Sequence, residues 1–194
     1  MTRINTPLLV TLSLLIAFST VRVVPLGLEI AFAEMSHQIL NAKSMFLMHI
    51  TAASIALAIG AIQIIPAVRK RYLNIHRWLG RVYAVAVLLG GISGFLIAFQ
   101  IDDFIAVFGF ALLAVLWIAA TINAVRLARA HEIQAHRRWM IFSFALTFAA
   151  VTLRLQLAIF MFGFAMPYEL VYPFLAWSCW VPNIVFAVWY VGHS

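Results

Sequence analysis

The sequence predicts an all-α polytopic membrane protein of about six transmembrane helices, and three observations carry that prediction. Apolar side chains make up 65% of the chain and charged ones only 10%, against roughly a quarter charged in an ordinary soluble domain. The apolar residues fall in runs of about twenty, the length a helix needs to cross ~30 Å of hydrocarbon. Short arginine-rich stretches separate several of these runs. In 194 residues such spans leave no room for a soluble domain beside them, so residues 1–194 read as one transmembrane helical domain.

The elements follow in order. After Arg3, the run PLLVTLSLLIAFSTV resembles the start of a signal peptide. Arg22 and Pro25 come next in place of soluble sequence, so the run is expected to be a retained first span. The mixed stretch 27–43, with Glu29, Glu34 and His37, is expected to form an outer loop or a helix lying in the interface. Later spans are expected near 44–67, 77–100, 104–126, 138–165 and 170–191, with basic loops at 68–76 and 127–137.

The formal charge of +7 raises nucleic acid as a partner, but the distribution argues against it. Arg3, Arg69, Lys70, Arg71, Arg77, Arg81, Arg126, Arg129, Arg137 and Arg138 fall on one side of the expected bilayer. The positive-inside rule makes that side cytoplasmic, in a bacterial cytoplasmic membrane, with both termini inside. Asp102 and Asp103 then mark a tight external turn. Aromatic belts are expected from Tyr168, Tyr172, Trp177 and Trp180 outside and from Trp78, Trp139, Trp189 and Tyr190 inside. The lone Cys179 rules out an intrachain disulfide, and hydrolytic triads, phosphate loops and paired carboxylates are missing.

Helical spacing picks out the inward faces. From His76 the stripe runs Gly80, Tyr83, Val87, Gly90 or Gly91, Gly94, small enough for close helix packing or for a flat ligand. From His136 it runs Met140, Ser143, Thr147, Ala150 and Arg154. Arg154 lies about 27 Å along the helix from His136, in the outer half of the membrane, where an arginine needs protein, water or an anion beside it. No acid is expected at its depth. His49 begins a third face, Ala53, Ala56, Gly60 and Gln63. These faces place spans two to five in a central four-helix bundle, with spans one and six, which lack polar stripes, at its flanks.

Neutral imidazoles on two helices can clamp a b-type haem, and His76 and His136 sit at one depth, each at the start of an apolar helix. Anchoring of two interfacial loops explains the same pair. Arg77, Arg81, Arg137 and Arg138 oppose the helix dipole in their first turns; topology, lipid phosphates or haem propionates would each account for them. Met45, Met48 and His49 could hold a soft cation, with an ordinary apolar turn as the alternative. His37, His131 and His193 read as exposed or interfacial.

The run MHITAASIALAIGAIQIIPAVRKRYLNIHRWLGRVYAVAVLLGGISGFLIA, with AHRRWM and the arginine of VTLRLQLA, resembles a bacterial membrane-protein family catalogued as domain of unknown function 2306. That likeness implies a fold and no activity. His49 and the segment Ile75-His76-Arg77-Trp78-Leu79-Gly80 are also similar to the transmembrane cytochrome b proteins that take electrons from ascorbate. In that family both histidines would ligate haem, on opposite membrane faces. The partner histidines that family needs are not found here, so the likeness carries no two-haem site.

The leading expectation is a membrane electron-transfer protein with one haem b per chain, held by His76 and His136 with Arg77, Arg81 and Arg138 near its propionates. His49, Gln63 and Arg154 would bind a quinone headgroup. The alternatives are a small transporter lined by those last three residues, and an accessory or assembly subunit of a respiratory partner without a cofactor. The lipid bilayer is the one partner the composition itself requires.

Overall fold

The computed structural model describes residues 5–32 and 35–193. Arg3, Glu34 and the side chain of His37, which figure in the expectations above, lie outside the described residues. Among the described residues, six helical segments are long and apolar enough to cross a membrane: Thr6–Leu26, Ile39–Gln63, Leu73–Ala98, Phe104–Arg129, Ile133–Gly163 and Tyr168–Gly192.

The first segment opens with α1 (Thr6–Ser19), where the Leu8 amide donates to the side chain of Asn5 at 3.2 Å, and Pro7 occupies the first turn. This suits proline, whose missing N–H is not needed there. A tight turn at Thr20–Arg22 leads into α2 (Val23–Leu26), and Gly27 then takes a φ of 77°. That angle favours glycine, and it separates α2 from α3 (Leu28–Ala31). Of the outer loop or interfacial helix expected in 27–43, the described residues show the single turn α3 and the first part of α4 (Ser36–Gln63), which is kinked at Ala42.

At the arginine-rich end the expected loop 68–76 is largely helical. Pro66 starts α5 (Pro66–Arg71), and α6 (Leu73–Ala98) begins four residues before the expected boundary. Next come α7 (Phe104–Arg129), capped by Asp103 through a 2.8 Å bond from the Ala106 amide, and α8 (Ile133–Thr147). The fifth segment continues as α9 (Ala149–Leu157) and widens into a π-helical stretch, Ala158–Gly163. The sixth is also divided, into α10 (Tyr168–Ser178), with Pro173 inside it, and α11 (Val181–Gly192).

Helices α4, α6, α7 and α8 pack against one another as the central bundle; α1 lies on α4, α10 on α7 and α11 on α8. Two helices can come this close in lipid only where side chains are small. A Cβ on Gly91 would meet Ile118 at 2.5 Å, and one on Gly109 would meet the Ala176 carbonyl oxygen at 2.8 Å.

Contrary to expectation, the sixth span does carry polar groups inward. Asn183 donates to Thr152 Oγ1 at 3.0 Å and to the Cys179 carbonyl at 3.0 Å, while Ser178 donates to Gln156 at 3.2 Å. The aromatic belts also need correction. Trp78 and Trp189 are exposed as expected, but Tyr168, Tyr172 and Trp180 are buried, drawn into the bundle by the packing of α10 on α7.

One side chain ties three helices together. Tyr83 of α6 is 1% exposed, and its hydroxyl lies 2.8 Å from Ser143 Oγ and 2.7 Å from Thr147 Oγ1, both on α8. Helix α7 joins through Trp117, whose Nε1 donates to Thr147 at 2.8 Å, and Thr121, 2.7 Å from Ser143. Interhelical hydrogen bonds in membranes contribute about 0.6 kcal/mol each. Tyr83→Phe, which loses two, should therefore lower unfolding free energy by roughly 1 kcal/mol in a detergent denaturation series. Gly109→Ala, which forces a backbone contact, should cost more, about 1–3 kcal/mol.

Candidate functional site

Two groups of polar side chains occur at opposite ends of the bundle. At the arginine-rich end, His76 lies in the first turn of α6 and His136 in the first turn of α8. His136 donates from Nδ1 to the Ala124 carbonyl at 2.8 Å. That bond fixes the tautomer and leaves Nε2 as the ring's acceptor or ligand atom. Gln63 donates from Nε2 to the His76 carbonyl at 3.1 Å. The Gln63 Oε1 and His76 Nδ1 atoms are buried without a partner among the described residues. His76 is close enough to His136, Arg69 and Arg77 to feel their charge, while Arg77, Arg81, Arg137 and Arg138 are exposed.

The donor atoms of this pair suit haem iron, but the glycine face below them does not offer a slot for a flat ring. A Cβ on Gly80 would stand 3.3 Å from Gln63 Nε2; on Gly90, 3.3 Å from the Ala53 nitrogen; on Gly94, 2.8 Å from the His49 ring. Protein fills the stripe beside the histidines, at Gly80 and the buried Tyr83, whereas Gly90, Gly91 and Gly94 border a cavity farther along the bundle. Any ring held by His76 and His136 therefore lies toward the arginine-rich end of the two histidines.

Gln63 is placed differently from the sequence expectation. It closes α4 at the His76 backbone and is absent from the cavity that holds His49 and Arg154. The 3.6-residue repeat correctly puts it on the inward face, but that face runs the full length of α4, and the two ends serve different neighbours.

The second group surrounds a cavity of about 400 Å³ in the opposite half of the bundle. His49 of α4, Arg154 of α9 and Arg22 line it, together with Thr147, Ser54, Trp117, Tyr168 and Tyr172. Apolar residues such as Phe46, Ile50, Phe110 and Leu153 make up most of the remaining wall. Such a mixture, apolar with a few convergent polar groups, is what small-molecule sites present.

Each polar group is oriented by backbone. His49 donates from Nδ1 to the Gly90 carbonyl at 2.8 Å, which leaves Nε2 as an acceptor. The ring rests on Gly94, where any side chain would collide with it. Arg154 donates from one nitrogen to the Ala150 carbonyl, one turn back, at 3.2 Å. Arg22 donates to the Ala31 carbonyl at 2.9 Å, and its guanidinium lies over the Phe32 ring, 5.1 Å from the centroid. Arg154 lies within electrostatic reach of both His49 and Arg22.

No carboxylate balances these charges: among the described residues the one ion pair is Lys43 with Glu29, at 3.6 Å and well exposed. The absence of an acid at Arg154's depth was legible in the sequence. Arg22 and the two tyrosines were not, because Arg22 precedes a turn whose path the sequence leaves open, and the tyrosines resemble interface anchors. Met45 is 38% exposed and does not line the cavity that holds His49, and no group of three or more His, Cys, Asp or Glu suited to a metal occurs among the described residues.

A family model described as "Predicted membrane protein (DUF2306)" matches residues 46–191. No curated protein and no solved structure matches the chain. The matched region includes α5 to α10 and both histidine-bearing helix starts, His76 and His136, whereas Arg22 precedes it.

Gly94 offers a direct check on the cavity geometry. Gly94→Ala brings a Cβ within 2.8 Å of the His49 ring, so the ring should leave the Gly90 carbonyl. The expected cost is about 1–3 kcal/mol of stability, and the His49 Nδ1 proton resonance should lose its hydrogen-bonded shift in NMR of the labelled protein.

Proposed function

The chain belongs to the family described as Predicted membrane protein (DUF2306), and on that footing we propose that it binds a lipid-soluble small molecule in the cavity of His49 and Arg154. The observation that carries this is the pairing of a free imidazole acceptor with an unbalanced guanidinium on an otherwise apolar wall. An arginine in a span is expensive unless it meets protein, water or a polar ligand. Among the described residues its hydrogen-bond partner is a single backbone carbonyl.

The ligand that fits has an apolar body and an oxygen-bearing head. Its oxygen accepts from Arg154, and any O–H it carries donates to His49 Nε2. A quinone or quinol headgroup has this chemistry, which would make the protein quinone-linked. By the positive-inside rule the arginine-rich end faces the cytoplasm, so the cavity opens in the outer half of the membrane.

Trp117 lines the cavity, which supplies the readout. Titration of the detergent-purified protein with a brominated fatty acid and, separately, with a short-chain ubiquinone analogue should quench tryptophan emission saturably. Ala53→Phe, which fills the cavity, should abolish the saturable part. Quenching that stays linear with probe concentration in the unaltered protein would remove the binding reading.

A second reading keeps haem b as cofactor, because the His136 Nδ1 bond to Ala124 and the unpartnered His76 Nδ1 leave a nitrogen available on each ring. Haem would supply one-electron chemistry at the arginine-rich end; Arg77, Arg81 and Arg138 would neutralise its propionates. Expression with haem supply should then give a Soret band and, after dithionite, an α-band, both lost in His136→Ala. A colourless protein would leave the binding reading standing alone.

A further inference from the structure

The charge around the cavity says more about the ligand than its volume does. Arg154 and Arg22, two like charges, both line it, and His49, fixed with its proton toward Gly90, presents an acceptor. A neutral occupant would leave the Arg154 guanidinium, inside a span, with no counter-charge among the described residues, and such a charge is costly. A carboxylate brings one negative charge, as the monoanion of a phosphate monoester does, but has no hydrogen for His49 Nε2. A phosphate monoester has both: anionic oxygens for guanidinium donors, which bind them in fork geometry, and in its monoanion one P–O–H to donate.

We propose that the cavity takes a phosphate monoester carried on an apolar chain, its anionic oxygens on Arg154 and Arg22 and its hydroxyl on His49. This rests on the cavity being a ligand site at all. The apolar wall of Phe46, Ile50 and Phe110 receives the chain, and Arg22, at the end of the first span, closes over the head from the outer side.

The test is thermal unfolding of the purified full chain in maltoside micelles with four probes: dodecyl phosphate, dodecanoate, dodecanol and inorganic phosphate. Dodecyl phosphate should raise Tm by several degrees and bind at least about tenfold more tightly than dodecanoate or dodecanol. Inorganic phosphate, lacking the chain, should have little effect. Arg154→Gln and Arg22→Gln should each weaken dodecyl phosphate at least about tenfold and dodecanol far less; His49→Ala should reduce the preference for phosphate over carboxylate.

If Arg154→Gln does not fold, Arg22→Gln, whose side chain is exposed, carries the comparison. Equal binding of dodecanoate overturns the monoester assignment, and equal binding of inorganic phosphate overturns the chain. Equal binding of dodecanol, or of a quinone analogue with no effect of either arginine variant, overturns the anion and leaves the cavity as a neutral-ligand site. If no probe binds and tryptophan quenching is linear, the ligand site itself falls with it.

Discussion

The bundle depends on the buried hydroxyl of Tyr83. In hydrocarbon there is no hydrophobic force to hold one helix against another, so specificity falls to close packing and hydrogen bonds. Tyr83 supplies both. Its ring fills the space beside Gly60, and its hydroxyl meets two hydroxyls of α8 that are themselves bonded to α7. Four hydroxyls carry one hydrogen each for five such contacts, and one order satisfies all four: Thr121 donates to the Trp117 carbonyl, Ser143 to Thr121, Tyr83 to Ser143 and Thr147 to Tyr83. A network in which every member is satisfied fixes one register among the three helices. That register brings His49, Thr147 and Arg154 to a common cavity on one side of the network and leaves His76 and His136 on the other.

The fold was legible in the sequence because membrane physics simplifies the problem. Backbone groups in lipid must bond internally, so runs of about twenty apolar residues read as helices almost regardless of detail. Arg154 was equally plain, since a charge inside a span stands out against its surroundings. Boundaries were harder. The stretch 68–76 carries Arg69, Lys70 and Arg71 and looks like a loop, yet Pro66 starts a helix there, because basic residues at an interface are compatible with helical backbone.

The site was only half legible. Periodicity places a residue on a face but not at a depth relative to a kinked neighbour, and so it grouped Gln63 with His49. The two lie 14 residues apart on α4 and answer to different partners. The glycine stripe shows the same limit from another direction: small residues admit a ligand or a helix equally well, and here Gly90, Gly91 and Gly94 do both, receiving Trp117, Ile118 and His49 while bordering the cavity. Tyr168 and Tyr172 sit where interface aromatics would, but α10 is broken at Ser178 and tilts them into the cavity wall. Nothing in local composition distinguishes those two outcomes.

The seam between the fifth and sixth spans bears on how the chain is made. A span that contains Arg154, Gln156 and Thr152 is a poor candidate for release into lipid by itself during synthesis, since each polar group would face hydrocarbon. Asn183 and Ser178 arrive one span later and bond Thr152 and Gln156. The last two spans are therefore best suited to leave the insertion machinery as a pair. The final helix, peripheral in the finished bundle, then acts during biogenesis as the escort of the most polar one.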